Sequence, residues 1–252
     1  MMLTHITVAY FSPTGNTRRA ALLLASGLAR EVEELDLSLP QAPGRTFTAQ
    51  DVVLFAAPVF GGRIPPYLVE KLGGLTGHKT RAVTAAVYGN RAFEDALLEL
   101  NDCVQDQSFQ VVASAALLAE HSISRAVAAG RPDEQDAAQL RSFAPAILQK
   151  LESGSSASVP GNRPYKEWSP SPLAPLVSES CIACGLCASG CPAQAIPADQ
   201  PNTTDLAKCF LCMRCIALCP QRARAYPAEA QAMVDQRLSP LQAVRRENEL
   251  FL

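Results

Sequence analysis

The chain has 252 residues and a formal net charge of −2, so it offers no basic excess for binding nucleic acid. Its apolar runs fall short of the ~18 residues that a membrane-spanning helix needs. The N-terminus leads directly into a strand-like segment, without the charged and apolar regions of a secretory signal, and we therefore expect a cytoplasmic protein.

Residues 1–152 alternate strand-like and helix-like segments. The predicted strands cover residues 6–11, 32–37, 52–57, 82–88 and 111–118, and some of them are nearly continuous in apolar character, as is typical of strands buried on both faces of a parallel sheet. The predicted helices cover residues 17–28, 66–72, 93–107 and 133–151. This alternation predicts an α/β domain with a doubly wound, five-stranded parallel sheet.

The loop after the first predicted strand reads Ser12-Pro13-Thr14-Gly15-Asn16-Thr17. Hydroxyl groups, a glycine and free backbone N–H groups at the start of a helix suit a phosphate. The loop lacks the Gly-Lys-Ser/Thr of a nucleoside triphosphate site and the GxGxxG of a dinucleotide site, which leaves a phosphate monoester. In a flavodoxin-like sheet of order 2-1-3-4-5, this loop would hold the phosphate of FMN. A plain capped helix start is the alternative.

Two later loops follow the carboxyl ends of neighbouring predicted strands. Their glycines let the backbone approach a ligand, and Phe60 or Tyr88 can lie against a flavin ring. Packing into the core is the alternative for each aromatic residue. The predicted ring-binding residues are Pro58, Val59, Phe60, Gly61, Tyr88, Gly89, Asn90, Arg91 and Phe93.

The remaining chain divides by composition. Residues 153–175 are rich in Pro and Ser and predict a stiff linker, residues 176–228 contain most of the cysteines, and residues 229–252 form a tail. The tail is predicted to be partly helical, to break near Pro240 and to pack its apolar end on the body of the protein.

Eight of the nine cysteines form two copies of the pattern C-x2-C-x2-C-x3-C-P. This is the run of bacterial two-cluster ferredoxins, in which the fourth cysteine of each copy ligates the cluster of the other copy. The predicted ligands are Cys181, Cys184, Cys187 and Cys219 for the first [4Fe–4S] cluster and Cys209, Cys212, Cys215 and Cys191 for the second. Disulfides would need an oxidising compartment, and zinc prefers paired CxxC motifs, so both alternatives fit poorly. A small α+β ferredoxin domain is therefore predicted.

The first domain resembles a flavodoxin in the Ser12 to Thr17 loop and the two later loops. Over nearly its full length the chain resembles the flavodoxin–ferredoxin fusions known as EFR-type ferredoxins, through residues 58–65, 88–91 and 120–122 and both cysteine runs. The resemblance implies FMN and two [4Fe–4S] clusters in one polypeptide. Phe60 stands where a tyrosine or tryptophan is expected to stack on the flavin.

His121 follows the fifth predicted strand. In the similar flavodoxin-like quinone reductases a histidine after this strand can lie over the flavin, which makes His121 a candidate general acid with a pKa near neutral. A solvated or helix-capping histidine is the alternative.

These features predict an electron-transfer protein that relays electrons between FMN, two clusters and redox partner proteins. A flavin-dependent reductase of a small, quinone-like molecule is an alternative, as is a ferredoxin joined to a docking domain without flavin. A homodimer stays open, because one subunit's flavin can face another subunit's cluster in iron–sulfur flavoproteins.

Overall fold

The computed structural model describes residues 1–41, 44–169 and 171–252. The strands in chain order are β1 (Leu3–Tyr10), β2 (Ala29–Asp36), β3 (Arg45–Thr46), β4 (Val52–Pro58), β5 (Leu75–Thr76), β6 (Thr80–Tyr88), β7 (Phe109–Leu118), β8 (Leu176–Val177), β9 (Arg224–Ala225) and β10 (Glu249–Phe251). The helices are α1 (Asn16–Leu28), α2 (Pro66–Leu72), α3 (Ala96–Asp106), α4 (Glu134–Ser153), α5 (Leu186–Ser189), α6 (Arg214–Leu218) and α7 (Ala228–Leu238), followed by a 3-10 turn at Ser239–Leu241. Across the described residues, no helix has the length and apolar character needed to cross a membrane.

The main sheet has six strands in the order β10-β7-β6-β4-β1-β2. Five of them are parallel and correspond to the five predicted strands, so the predicted doubly wound α/β class is confirmed. The sixth, β10, was not predicted and pairs antiparallel with β7 at the edge. We call this sheet with helices α1 to α4 the sheet unit.

The sheet unit buries an apolar layer on each face, because strand side chains point alternately to opposite sides. One layer contains Ile6 and Val8 of β1 with residues of α1 and α4. The other contains Phe55 of β4 with residues of α2 and α3. Because the five strands are parallel, their carboxyl ends lie at one common edge of the sheet, where the loops after β1, β4, β6 and β7 meet.

The described residues between α4 and β8 form no helix or strand, yet they are attached to the sheet unit. Asp95, at the start of α3, accepts hydrogen bonds from the backbone of Asn162 (2.8 Å) and of Lys166 (2.7 Å). Arg163 pairs with Asp102 of the same helix at 2.6 Å. The linker therefore follows the surface of α3 as a docked strap.

The cysteine region, residues 176–225, begins and ends in the antiparallel pair β8 and β9. Its buried centre is built from Cys187, Cys191, Ala195 and Ile196. The region contacts the sheet unit through Phe210, whose ring lies 6.1 Å from that of Phe11 and 5.9 Å from that of Tyr67.

The C-terminal tail returns to the sheet unit and is held there by a buried ion pair. Arg131 and Asp136 are 4% and 0% exposed, and the Arg131 Nε donates to the carboxylate at 2.8 Å. Arg131 also donates to the carbonyl of Arg246 at 2.8 Å, and Asn248 donates to Asp136 at 3.0 Å. The pair thus orders the chain just before β10.

Substitution Arg131→Met should lower the free energy of unfolding by about 3–5 kcal/mol, because it leaves the buried Asp136 carboxylate with only the more distant Arg245, at 3.6 Å, as a cation. Urea unfolding followed by circular dichroism measures the loss. Arg125→Met is the matched control, since Arg125 is 79% exposed and its pair with Glu120 should contribute at most about 1 kcal/mol. Equal losses in the two variants would contradict this account.

Candidate functional site

A narrow cavity lies at the edge where the parallel strands end. Its volume is about 60 Å³. It is lined by Pro13, Thr14, Asn16, Thr17, Pro58, Val59, Phe60, Val87, Tyr88, Gly89, Ala119, Glu120, His121, Ser122 and Cys212. The fold therefore brings the predicted phosphate loop, both predicted ring loops and His121 to one slot, with a cysteine of the second motif in its wall.

The loop before α1 presents free hydrogen-bond donors. Within the described part of the chain, the backbone N–H groups of Thr14, Asn16 and Thr17 have no hydrogen-bond acceptor. Gly15 has φ +92°, and no atom lies within 4 Å of the position that a Cβ would occupy there. Ser12 braces the loop instead of facing the slot, since its hydroxyl accepts from the Arg18 N–H at 2.9 Å. The loop has the donors and the open space that a phosphate requires.

Two arginine side chains of α1 beside this loop are engaged elsewhere. Arg18 pairs with Glu34 at 2.5 Å, and Arg19 donates to the carbonyl of Pro132. A phosphate in the loop would therefore draw on backbone donors, hydroxyl groups and the helix dipole, and not on these two arginines.

The slot adjoins a cleft of about 810 Å³ between the sheet unit and the cysteine region. Thr14, Asn16, Glu120 and Ser122 border both spaces. Pockets for whole ligands of this size class measure about 300–1,000 Å³, so the slot alone is too small and the two spaces together are sufficient. The residues and the combined space thus fit FMN.

Four predicted ring-binding residues lie outside the slot wall, and three of them contact other residues of the chain. The buried Asn90 donates its amide to the carbonyls of Leu241 (3.1 Å) and Val244 (2.6 Å). Arg91 pairs with Glu94 at 2.6 Å. Phe93 packs against the ring of Phe251 in β10, at a centroid distance of 6.2 Å.

Tyr88 lines the slot and also packs against Phe93, and Gly61 lies next to the slot without lining it. Tyr88 lines the slot, but its ring packs on Phe93 at 5.5 Å, and burial raises the pKa of its hydroxyl. Gly61 has φ +63° in the turn closed by the backbone pair of Phe60 and Arg63. Phe60 is therefore the predicted aromatic residue best placed to face a ring in the slot.

His121 sits against Gly89, where an added Cβ would come within 2.6 Å of the imidazole ring. Its Nδ1 accepts from the N–H groups of Ile123 (3.2 Å) and Ser124 (3.0 Å), which leaves the proton of the neutral ring on Nε2. Burial, followed by the charge of Arg91, lowers the pKa of His121 below its ordinary 6.5. The pKa of His121 therefore lies below the expected near-neutral value, and the neutral imidazole is favoured.

Two further cavities are each walled by four cysteines. One is lined by Cys181, Cys184, Cys187 and Cys219. The other is lined by Cys191, Cys209, Cys212 and Cys215. In both cavities the fourth cysteine comes from the other motif, as the spacing predicts. In the described ranges, no three His, Cys, Asp or Glu side chains converge as ligands of a single metal ion. This finding does not test a cluster, because each cysteine of a cluster binds a separate iron.

The two cysteine cavities differ in exposure. Cys184 is exposed, and its neighbours Ile182 and Leu186 are 62% and 51% exposed. In the other cavity burial raises the pKa of the Cys212 thiol to about 12 and that of Cys215 to about 11. Iron removes this obstacle, because a coordinating metal deprotonates a thiol outright.

Comparison with known protein families supports the assignment of iron–sulfur clusters to the cysteine region. Residues 180–223 match the family described as the 4Fe-4S dicluster domain. The cysteine region carries two [4Fe–4S] clusters. No curated protein sequence matches the chain significantly.

Solved structures similar to the chain cover about three fifths of it. Flavodoxin of Streptococcus pneumoniae TIGR4 is 17% identical over 58% of this chain and 99% of its own, with a TM-score of 0.42. Rubredoxin oxygen:oxidoreductase of Desulfovibrio gigas is 16% identical over 61% of this chain, with a TM-score of 0.42. This chain spans 37% of the length of that enzyme.

The lowered pKa of His121 predicts a pH-dependent stability. Because the unfolded chain regains the ordinary pKa, it binds the proton more readily, and the folded state loses stability as the pH falls from about 6.5 to the folded pKa. The difference in urea stability between the wild type and His121→Gln should shift against the wild type over this range. A constant difference from pH 7.5 to pH 5 would contradict the direction of the pKa shift.

Proposed function

We propose that this protein is an electron-transfer iron–sulfur flavoprotein of the EFR type, which relays electrons between FMN, its two clusters and redox partner proteins. The observation that carries the proposal is the position of Cys212, which belongs to a four-cysteine cavity and to the wall of the predicted flavin slot. A ligand of one cluster would therefore border the flavin.

FMN would be held through its phosphate by the amides of Thr14, Asn16 and Thr17 and through its ring by the Phe60 and Gly89 loops. When bound, FMN supplies the capacity to accept electrons in pairs and to release them one at a time, as clusters require. The chain's own contribution is placement. The Phe210 contact keeps Cys212 at the slot, and burial keeps bulk water away from the second set of cysteines.

A path through the chain follows from these positions. Cys191, Cys209, Cys212 and Cys215 would ligate the cluster beside the flavin. Cys181, Cys184, Cys187 and Cys219 would ligate the distal cluster, whose exposed edge at Ile182 and Leu186 is where a redox partner would approach. This path lies within one chain and does not require a homodimer. Cysteines that serve as cluster ligands and not as disulfide partners agree with the cytoplasmic location that the sequence predicts.

The geometry disfavours a reductase of small molecules. Such an enzyme needs a proton donor beside the flavin ring, and His121 is the candidate in the slot wall. His121 has its Nδ1 occupied and a lowered pKa, so it is less ready as a proton donor at neutral pH. We therefore assign no catalytic step to His121.

Anaerobic purification followed by flavin extraction and iron and sulfide analysis tests the proposal. We expect FMN in equal amount to the chain, together with two filled clusters. A preparation with both clusters and no FMN would instead identify a ferredoxin on a docking domain. Quinone turnover that survives removal of the clusters and is lost in His121→Ala would identify a reductase.

The role of this loop in binding phosphate can be tested by comparing FMN with riboflavin. Thr17 is 4% exposed, and Thr17→Val keeps its shape while removing a hydroxyl donor to a charged group, a contribution of about 1.5–3 kcal/mol. We expect FMN to bind at least about 10-fold more weakly and riboflavin, which lacks the phosphate, to bind unchanged. Quenching of flavin fluorescence measures both, and Thr7→Val, in buried β1, is the control. Equal weakening of the two flavins would contradict phosphate binding here.

The crossed ligation makes a distinctive prediction. Cys191→Ala should remove the same cluster as Cys209→Ala, whereas Cys219→Ala should remove the same cluster as Cys181→Ala. Electron paramagnetic resonance (EPR) spectra of the reduced proteins should therefore match within each pair and differ between pairs. If Cys191→Ala instead matched Cys181→Ala, each motif would hold its own cluster and the assignment would be wrong.

A further inference from the structure

Two buried side-chain nitrogens stand out in the part of the chain that the structure describes. The Nε atoms of Arg214 and Arg224 are buried and have no hydrogen-bond partner. A buried donor left unpaired is costly, so such an atom points to a group that satisfies it in the working protein.

Arg224 lines the cavity of Cys181, Cys184, Cys187 and Cys219. It is 2% exposed, and its terminal nitrogens donate to the carbonyls of Pro201 (2.6 Å) and Thr203 (2.9 Å) and to the hydroxyl of Thr204 (2.9 Å). These bonds fix the guanidinium plane on one side. The Nε–H is the donor that they leave unused.

Arg214 lines the cavity of Cys191, Cys209, Cys212 and Cys215. It is the first residue of α6, and its Nη1 approaches the carbonyl of Ser12 at 3.5 Å. Each cluster cavity thus contains one arginine with an unused Nε–H.

Neither arginine has a carboxylate within ion-pair distance among the described residues. The cost is greatest for the buried Arg224, because removing a cation from water without a counter-charge is expensive, whereas Arg214 is half-buried. A [4Fe–4S] cluster with its four thiolates bears a net negative charge and exposes sulfur acceptors. It would satisfy both the charge and the Nε–H of the arginine in its cavity.

We propose that Arg224 and Arg214 each donate the Nε–H to a sulfur of the cluster in their cavity and raise its reduction potential. Reduction adds one electron to the cluster and makes it more negative. A nearby cation and a hydrogen bond to sulfur stabilise that state more than the oxidised one. The two arginines are therefore tuning residues and not ligands.

Anaerobic titration with dithionite, which supplies one electron to each cluster, tests the proposal when followed by EPR. Arg224→Met should shift the midpoint of the Cys181-containing cluster to more negative potential, and Arg214→Met should do so for the other. The Cys191→Ala protein, which retains one cluster, assigns the two midpoints. Arg224→Lys keeps the charge without the Nε–H and should recover part of the shift.

Arg222→Asn is the matched control. Arg222 is exposed two residues before Arg224 and has φ +51°, a conformation that asparagine tolerates, so the variant removes one surface charge without strain. Its midpoints should equal those of the wild type. Unchanged midpoints in cluster-loaded Arg224→Met and Arg214→Met would overturn the proposal, because a purely structural arginine affects stability and not potential.

A measurement on the unmodified sequence covers the case in which a variant fails to retain its cluster. Pulsed EPR of the reduced wild type labelled with arginine that carries ¹⁵N only at Nε should show a nitrogen hyperfine coupling to each cluster, and the absence of any coupling would overturn the proposal. Both experiments report on the clusters whether or not FMN is bound. Their failure is therefore distinguishable from failure of the flavin assignment.

Discussion

Phe210 lies between Cys209 and Cys212, and its ring packs against the rings of Phe11, Phe60 and Tyr67. Aromatic pairs of this kind contribute about 0.5–1.5 kcal/mol each beyond the area they bury. Since Phe11 directly follows β1 and Phe60 belongs to a slot loop, the contact places one cysteine cavity on the edge where the parallel strands end. The position of Cys212 in the slot wall depends on it.

The rest of the structure supports this contact by limiting relative motion. The strap after α4 is hydrogen-bonded to Asp95 and Asp102, so it does not act as a free tether. The tail after α7 is held by Asn90 and by the Arg131–Asp136 pair. Polar groups near the slot thus serve two purposes: some line it, and others attach the segments on either side of the cysteine region.

Much of this arrangement could be predicted because its signals are local. Cysteine spacing determines which thiols meet, and apolar runs of six to eight residues mark buried parallel strands. Other features have no local signal. The three residues of β10 are too few to show a period, and the strand exists only because β7 offers an unpaired edge. Asn90 resembles a ligand-binding loop residue in sequence, but its partners lie more than 150 positions away.

Arg224 shows the same limit for charge. An arginine after a cysteine run predicts a solvated side chain, because arginine is seldom buried unpaired. Its burial follows from pairing of β9 with β8 and from the carbonyls of the Pro201 to Thr204 loop, neither of which is visible in the spacing of residues.

The placement of β10 has a consequence for biosynthesis. The strand that completes the main sheet leaves the ribosome after all eight motif cysteines, and Asn248 beside it bonds to the backbone of Leu118, 130 positions earlier. During translation the β7 edge of the sheet therefore stays without its β10 partner while the cysteines are synthesised.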